Sequence, residues 1–424
     1  MADLSDLQGW EDYLERELTQ LETYQDADEP YVKQWVRMID GDVEPSTLAN
    51  YLQQLRLTSQ RLDDPIIELT ERGLDEHVYD LRHDDAYGQG GGGMSNSTVR
   101  MVQFVVRKFL GDHPDIDAEW TEDYELVSQD TDTVHPEDML NASDIQALRD
   151  GCLNQRDIAL IEFLADTGAR LTMMLSLRVK DVDLEGETAT YTPNRNALGL
   201  KGAEIMEYPI IDSRADLRAF LNQTHPRPDT PDAAFFHKLP ASGRWNFGED
   251  DDGSVHPNST RKQLRSIADR TEVSKPVNPH NFRHSAVTRM RREGYTRSQI
   301  EHRVHWEIDS DMWQVYEHIA GEEHNKDIFQ AAGVTESDDE GPARERHPCG
   351  NCRETLAPQH EFCPNCGAPA TMDAREALQS EREAQFDTAV KSDDPDRREA
   401  AQDLADILDI DDELAAEVIK MRSD

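Results

Sequence analysis

The sequence predicts a mainly α protein with a small antiparallel β-sheet. A helical N-terminal domain (1–125) and a linker (126–139) precede an α+β domain (140–332). A second linker (333–346), a four-cysteine ribbon (347–370) and a helical C-terminal segment (371–424) follow. Three observations carry this reading. Apolar residues recur at helical spacing over most of the chain, as in Leu4, Leu7, Trp10, Leu14, Leu18 and Leu21. The stretch 186–211 instead alternates and is broken by turn residues. Four of the five cysteines fall in two C-x-x-C pairs.

Taken in order, helical segments fit 4–24, 30–39, 47–57 and 65–81, and a polar Gly-rich loop, 87–93, interrupts them. The next helix, 97–110, turns Val99, Val102, Val105, Val106 and Leu110 inward and leaves Arg100, Arg107 and Lys108 outward. Such a bundle suits a DNA clamp or a protein-interaction module. An acidic, polar stretch, 119–136, leads to a second domain in which Ser143, with Gln146 three residues on, is expected to cap a helix. A strongly apolar helix over 154–166 ends near Thr167-Gly168, and Arg170 precedes a short amphipathic helix, 171–177. Strands at 188–191 and 205–211 flank N-R-N-A-L-G-L-K-G, which places Lys201 at or near a hairpin. A helix over 212–222 and an acidic loop, 226–253, follow, and helices resume at Thr260.

The stretch 278–318 gathers the most chemistry. Asn278 is a good N-cap and Pro279 suits the first helical position. A helix starting there puts His280, Arg283 and His284 on one face, with its N-terminal amides aimed at an anion. Gly294 can end it, Thr296 and Gln299 form a capping box for the next helix, and Ser310 can cap a last short helix carrying Tyr316.

The chain carries 44 Lys/Arg against 87 Asp/Glu, a net charge of −43. A carboxylate surface of that density keeps a protein hydrated in a salt-rich cytoplasm. An apolar share of 37% argues against an acidic disordered chain. No apolar run approaches the ~18 residues of a membrane span, and no basic-then-apolar signal opens the sequence, so a cytoplasmic protein with no membrane partner is expected. Between Ser259 and Arg303 the balance reverses to eleven Lys/Arg against four Asp/Glu. A basic island on an acidic chain is the footprint of a nucleic-acid site, although a solvated helix face has the same composition.

Cys349, Cys352, Cys363 and Cys366 read C-x2-C-x10-C-x2-C, a set that completes tetrahedral coordination of a structural zinc and leaves no open position for catalysis. An iron–sulfur cluster is the competing occupant. Cys152 sits in an apolar helical context and reads as packing. Whether the ribbon binds DNA or a partner is open.

T-G-A-R at 167–170, H-x-x-R-H at 280–284 and W-x9-Y from Trp306 to Tyr316 match, in order and spacing, the tyrosine recombinase family, the phage-type integrases. The resemblance covers roughly 15–320, and the acidic composition looks most like integrases of haloarchaea. It implies a helical core-binding domain and an α+β catalytic domain closing around double-stranded DNA, as a dimer or tetramer on DNA. It implies that Arg170 and Arg283 hold the scissile phosphate, Lys201 is the general acid and Tyr316 the nucleophile. His280 would assist at the phosphate, Trp306 would pack and hydrogen-bond there, and His284 would support the Arg283 helix. The phosphotyrosine stores the energy of the cut strand, so no nucleotide and no catalytic metal are required. Two positions depart from the family: Met173 stands where an acidic residue is common, and His305 where Gly is usual. A catalytically weak or inactive DNA-binding regulator on the same scaffold is therefore the alternative, and a zinc-ribbon interaction scaffold a third.

Overall fold

A computed structural model describes residues 3–87, 92–128, 135–186, 188–239, 251–313, 346–357, 360–375 and 377–380. The chain forms two compact units, one of 8–133 and one joining 3–7 to 134–424. No helix among the described residues is long and apolar enough to cross a membrane.

The first unit is helical: α1 (Trp10–Thr19), α2 (Glu29–Ile39), α3 (Pro45–Arg61), α4 (Glu71–His83) and α5 (Asn96–Gly111). Proline in the first turn starts α2 and α3, while Thr70 and Ser95 cap α4 and α5 by accepting from Gly73 and Thr98 N–H. Val32, Trp35, Leu52, Leu55, Leu74, Leu81 and the buried stripe of α5 meet in one core. Two expectations change here. The first helix begins at Trp10, because Leu4 and Leu7 belong to the core of the other unit. The basic face of α5 is engaged: Arg100 donates to Val127 O at 2.7 Å, Arg107 to Tyr124 O at 3.2 Å, and Lys108 pairs with Asp112 at 3.0 Å. The Val127 carbonyl lies in the stretch expected to be a linker, whose start is therefore fastened to the bundle.

The second unit comprises α6 (Ala142–Asp150), α7 (Gln155–Thr167), α8 (Leu171–Leu175), α9 (Arg214–Ala219), α10 (Pro257–Ala268), α11 (Pro279–Arg292) and α12 (Arg297–Arg303). Its antiparallel sheet runs β1 (Val182–Asp183), β2 (Ala189–Tyr191), β3 (Tyr208–Ile210), in that spatial order. Ala189 pairs with Ile210 and Tyr191 with Tyr208, and all four are buried on one face, as period-2 alternation requires. Helix α7 is the hub. Ala159, Leu160, Ile161, Phe163 and Leu164 are all buried, so it is apolar around most of its circumference, as a central helix must be. The cap of α6 is Asn141, reciprocated by Asp144, instead of Ser143. The predicted caps of α11 (Asn278) and α12 (Thr296 with Gln299) are present.

A second, two-stranded sheet pairs β4 (His347–Pro348) with β5 (Thr355–Leu356) beside the cysteine cluster. Most of the expected linker 333–346 and the C-terminal helical pair around Leu404 and Leu414 lie outside the described residues.

Candidate active site

Helix α7 ends at Gly168, whose φ of 62° is left-handed and reverses the chain toward Arg170. Helix α11 passes close by and carries Arg283, which is 5% exposed. Arg283 Nη1 donates to Gly168 O at 2.8 Å and Nη2 donates to Val304 O. Arg170 Nη1 donates to the next carbonyl, that of His305, at 3.3 Å. The two guanidiniums thus share one turn, 304–305, although their sequence positions lie in different motifs. Trp306 completes that turn: its ring centroid is 5.3 Å from the Arg283 Cζ, and it packs edge-on against Trp313 at 5.4 Å.

Among the described residues, no carboxylate lies within ion-pair distance of Arg170, and burial pushes its pKa below the usual arginine value. A partly buried cation with no counter-ion is an unfavourable arrangement that an anionic ligand would relieve. Met173, in the position the family commonly fills with an acid, is 1% exposed and part of the apolar core.

His280 is exposed on the first turn of α11, its ring stacked 5.9 Å from that of His284. Its pKa is lowered first by partial desolvation, then by the charges of Arg283, Lys201, Arg170 and Arg261. Lys201 is thus near enough for its charge to act on His280. His284 is pushed down to about 4, mainly by burial, then by His280 and Arg283, so it is neutral near pH 7. Lys201 sits in the β2–β3 connection with a left-handed φ of 51°, between Gly199 and Gly202, both at 77°. Tyr316 lies outside the described residues, as does the rest of the short helix expected to carry it.

Three residues outside the sequence-derived set organise this region. His305 has φ 57°, which explains why Gly suits the position. Its ring is buried, with Nε2 sharing a hydrogen bond with the Tyr191 hydroxyl at 2.9 Å and its face 4.1 Å from the Tyr208 ring centroid. Asp166, 2% exposed, accepts from Ile211 N–H at 2.8 Å and pairs with Arg303 at 2.8 Å, tying the end of α7 to β3 and α12. Asn194 links the Lys201 loop to α8, as developed below. An acidic residue four positions before Arg170 was the available signal for Asp166, the departure from Gly marked His305, and nothing local marks Asn194.

Part of the basic island is paired within the unit. Lys275 pairs with Asp144, Arg289 with Asp212, Arg297 with Glu301 and Arg303 with Asp166. Asp144, Asp212 and Asp166 come from outside the island, so part of the +7 read from the sequence is offset by acids that its own stretch does not contain.

Residues 137–323 match the family model described as phage integrase family. The match lies within the second unit. This segment is similar to the tyrosine recombinase XerC of Anoxybacillus flavithermus, 28% identical over 177 residues, covering 39% of this chain and 51% of that one. It is also similar to the tyrosine recombinase XerD of Listeria monocytogenes, 25% identical over 200 residues, covering 43% and 58%. The chain spans about half the length of these relatives. A solved structure of the Tn1549 transposon integrase, in complex with transposon right end DNA, superposes with a TM-score of 0.50 at 14% identity, covering 72% of this chain and 98% of that one. That likeness supports the fold.

The four cysteines outside the integrase segment come together, with all Sγ atoms within 4.8 Å of one another. Cys349 and Cys366 are 3.6 Å apart, as are Cys352 and Cys363. A tetrahedral site with metal–sulfur bonds of about 2.3 Å needs sulfurs roughly 3.8 Å apart, so this donor set fits such a metal, whereas disulfides need about 2.05 Å. The module is not tethered loosely. Glu354, 3% exposed, pairs with Arg214 at 3.2 Å and with Arg218. His360 accepts at Nδ1 from Ala357 N–H, which leaves Nε2–H to donate to Asp216 at 2.8 Å. Asp216 in turn holds Arg149 at 2.7 Å, and Arg149 holds Glu162 on α7 at 2.9 Å. One face of the cysteine module is thereby committed to α9.

Proposed function

We propose that this protein is a site-specific DNA recombinase that cuts and rejoins duplex DNA through a 3′-phosphotyrosine link at Tyr316. The observation that carries it is the pair Arg170 and Arg283, brought to one turn with no carboxylate beside Arg170 among the described residues. Two planar, permanently charged groups suit the two non-bridging oxygens of a phosphodiester, whose charge rises during in-line attack. Tyr316 oxygen bonds to phosphorus and the P–O5′ bond breaks. Free tyrosine loses its proton only near pH ~10, so that proton leaves as attack proceeds, to solvent or to neutral His280. Lys201 gives a proton to the departing 5′-oxygen. Trp306 backs the Arg283 guanidinium, and neutral His284 packs beneath His280 without adding charge. The phosphotyrosine conserves bond energy, so rejoining is the reverse displacement by the 5′-hydroxyl and consumes no ATP.

Residues 1–125 serve in this reading as the core-binding clamp and 140–332 as the catalytic domain, assembling as a dimer or tetramer on DNA in the cytoplasm. The charge of −43 fits a haloarchaeal-type cytoplasm. Cys349, Cys352, Cys363 and Cys366 hold a structural zinc that braces the ribbon on α9.

A nicked suicide duplex tests the reading: wild type traps a covalent protein–DNA complex and Tyr316→Phe traps none. The apolar burial of Met173 favours the second reading, a DNA-binding regulator of weak activity. That reading holds if wild type binds the duplex specifically and no covalent complex forms.

A further inference from the structure

Asn194 lies at the start of the loop that carries Lys201 and is 2% exposed. Its Nδ2 donates to Ser176 O at 3.1 Å and to Leu4 O at 3.3 Å, and its Oδ1 accepts from Asn196 N–H at 3.1 Å. Every polar valence of one side chain is thus spent joining three segments. Ser176 is the C-cap of α8, the helix whose N-cap is Arg170. Leu4 belongs to the strap 3–7, which is fastened in its own right. Leu4 N–H donates to Asp252 Oδ2 at 2.9 Å, and Leu4 and Leu7 are 5% and 2% exposed in the core. The strap also reaches the loop directly, where Leu198 N–H donates to Ser5 O at 2.7 Å. One residue further on, a Cβ at Gly199 would lie 4.0 Å from Thr172 Cγ2 of α8, so the loop rests on that helix. The loop is therefore anchored by three hydrogen bonds, two from Asn194 and one from Leu198, with Asn196 bracing it internally, and Lys201 follows.

We propose that Asn194, through the strap it holds, is a positioning residue for Lys201. This rests on the recombinase reading above. A general acid must reach within about 3 Å of the atom it protonates. Lysine has four rotatable bonds, and a long connection between two three-residue strands adds backbone freedom. Three anchors on the side leading into the turn remove most of that backbone freedom and set the distance between Lys201 and Arg170. Removing the Asn194 amide would leave two carbonyls unpaired and leave Leu198 as the loop's one remaining hydrogen bond to the strap among those described.

The test uses the full chain and two nicked duplexes, one with oxygen and one with sulfur at the 5′-bridging position of the scissile phosphate. A thiolate is a good leaving group without protonation, so the sulfur duplex bypasses the general acid. Lys201→Ala is expected to lose about 10²-fold or more in cleavage of the oxygen duplex and to stay within about twofold of wild type on the sulfur duplex. Asn194→Ala is expected to show the same pattern with a loss of about tenfold or more, and with DNA binding retained. Asn194→Asp keeps the size and the acceptor for Asn196 but loses both donors, so it serves as a second variant and is expected to match Asn194→Ala. Equal losses on both duplexes, or no loss, in a wild-type background that cleaves would overturn the inference alone. A wild type that forms no covalent complex with either duplex would overturn the recombinase reading, and this inference with it.

Discussion

Arg283 Nη1 donates to the main-chain carbonyl of Gly168 at 2.8 Å, joining two motifs 115 residues apart. The glycine makes that possible twice over. Its left-handed φ ends α7, and the missing side chain admits α11: a Cβ there would stand 3.0 Å from Ala286 Cβ and 3.7 Å from Arg283 Cα. The T-G of T-G-A-R is thus a seat for the second arginine as well as a turn before the first.

Gly168→Ala is expected to cost about 1–2 kcal/mol from the left-handed backbone, with further loss from the contact to Ala286. Urea unfolding gives the stability, and covalent trapping on the suicide duplex should fall with it because the Arg283 contact is displaced. Stability equal to wild type would show that α11 yields without cost.

The histidines beneath the site make stability fall with acid. His284 is held at about 4 and His305 well below its ordinary value, both mainly by burial. An unfolded histidine titrates near ~6.5. Below that pH the unfolded chain binds protons that the folded chain refuses, so folding weakens as pH falls from about 6.5 toward 4 and is unaffected by these groups above it. Melting temperatures measured across that window should drop, and His284→Gln should flatten part of the drop. A slope unchanged by the substitution would remove His284 from the account.

Asp216 joins the cysteine module to α6, with Arg149 on one side and His360 on the other. Asp216→Ala leaves Arg149 buried against Glu162 and strips His360 of its acceptor. Breaking a buried network from one side costs about 3–5 kcal/mol. Denaturation should register that loss, while zinc content measured by metal analysis stays at the wild-type level, since the four thiolates are untouched. Loss of zinc without loss of stability would mean that the network serves the metal rather than the interface.

Local chemistry was legible in the residues alone. The Asn278 and Thr296 caps, the shared face of His280, Arg283 and His284, the inward stripe of α5 and the paired cysteines all follow from spacings of a few residues, where backbone geometry is nearly fixed. Leu4 and Leu7 show the limit of that logic: their helical spacing is real, yet their burial is in the other unit, because a short apolar segment goes to whichever core has room for it. The basic island shows another. A charge count cannot see that Asp144, Asp212 and Asp166 arrive from elsewhere to pair with Lys275, Arg289 and Arg303.

What the sequence determined by itself is the inventory and its local order: two arginines, a lysine, histidines and a tyrosine, together with the helix caps that form at short range. Only the tertiary structure decided that carbonyls 304 and 305 seat both guanidiniums, that no carboxylate among the described residues stands beside Arg170, and that the first residues of the chain fasten the Lys201 loop. Those are contacts across more than a hundred residues, chosen by packing and by the need to satisfy buried polar groups, and no local pattern encodes them.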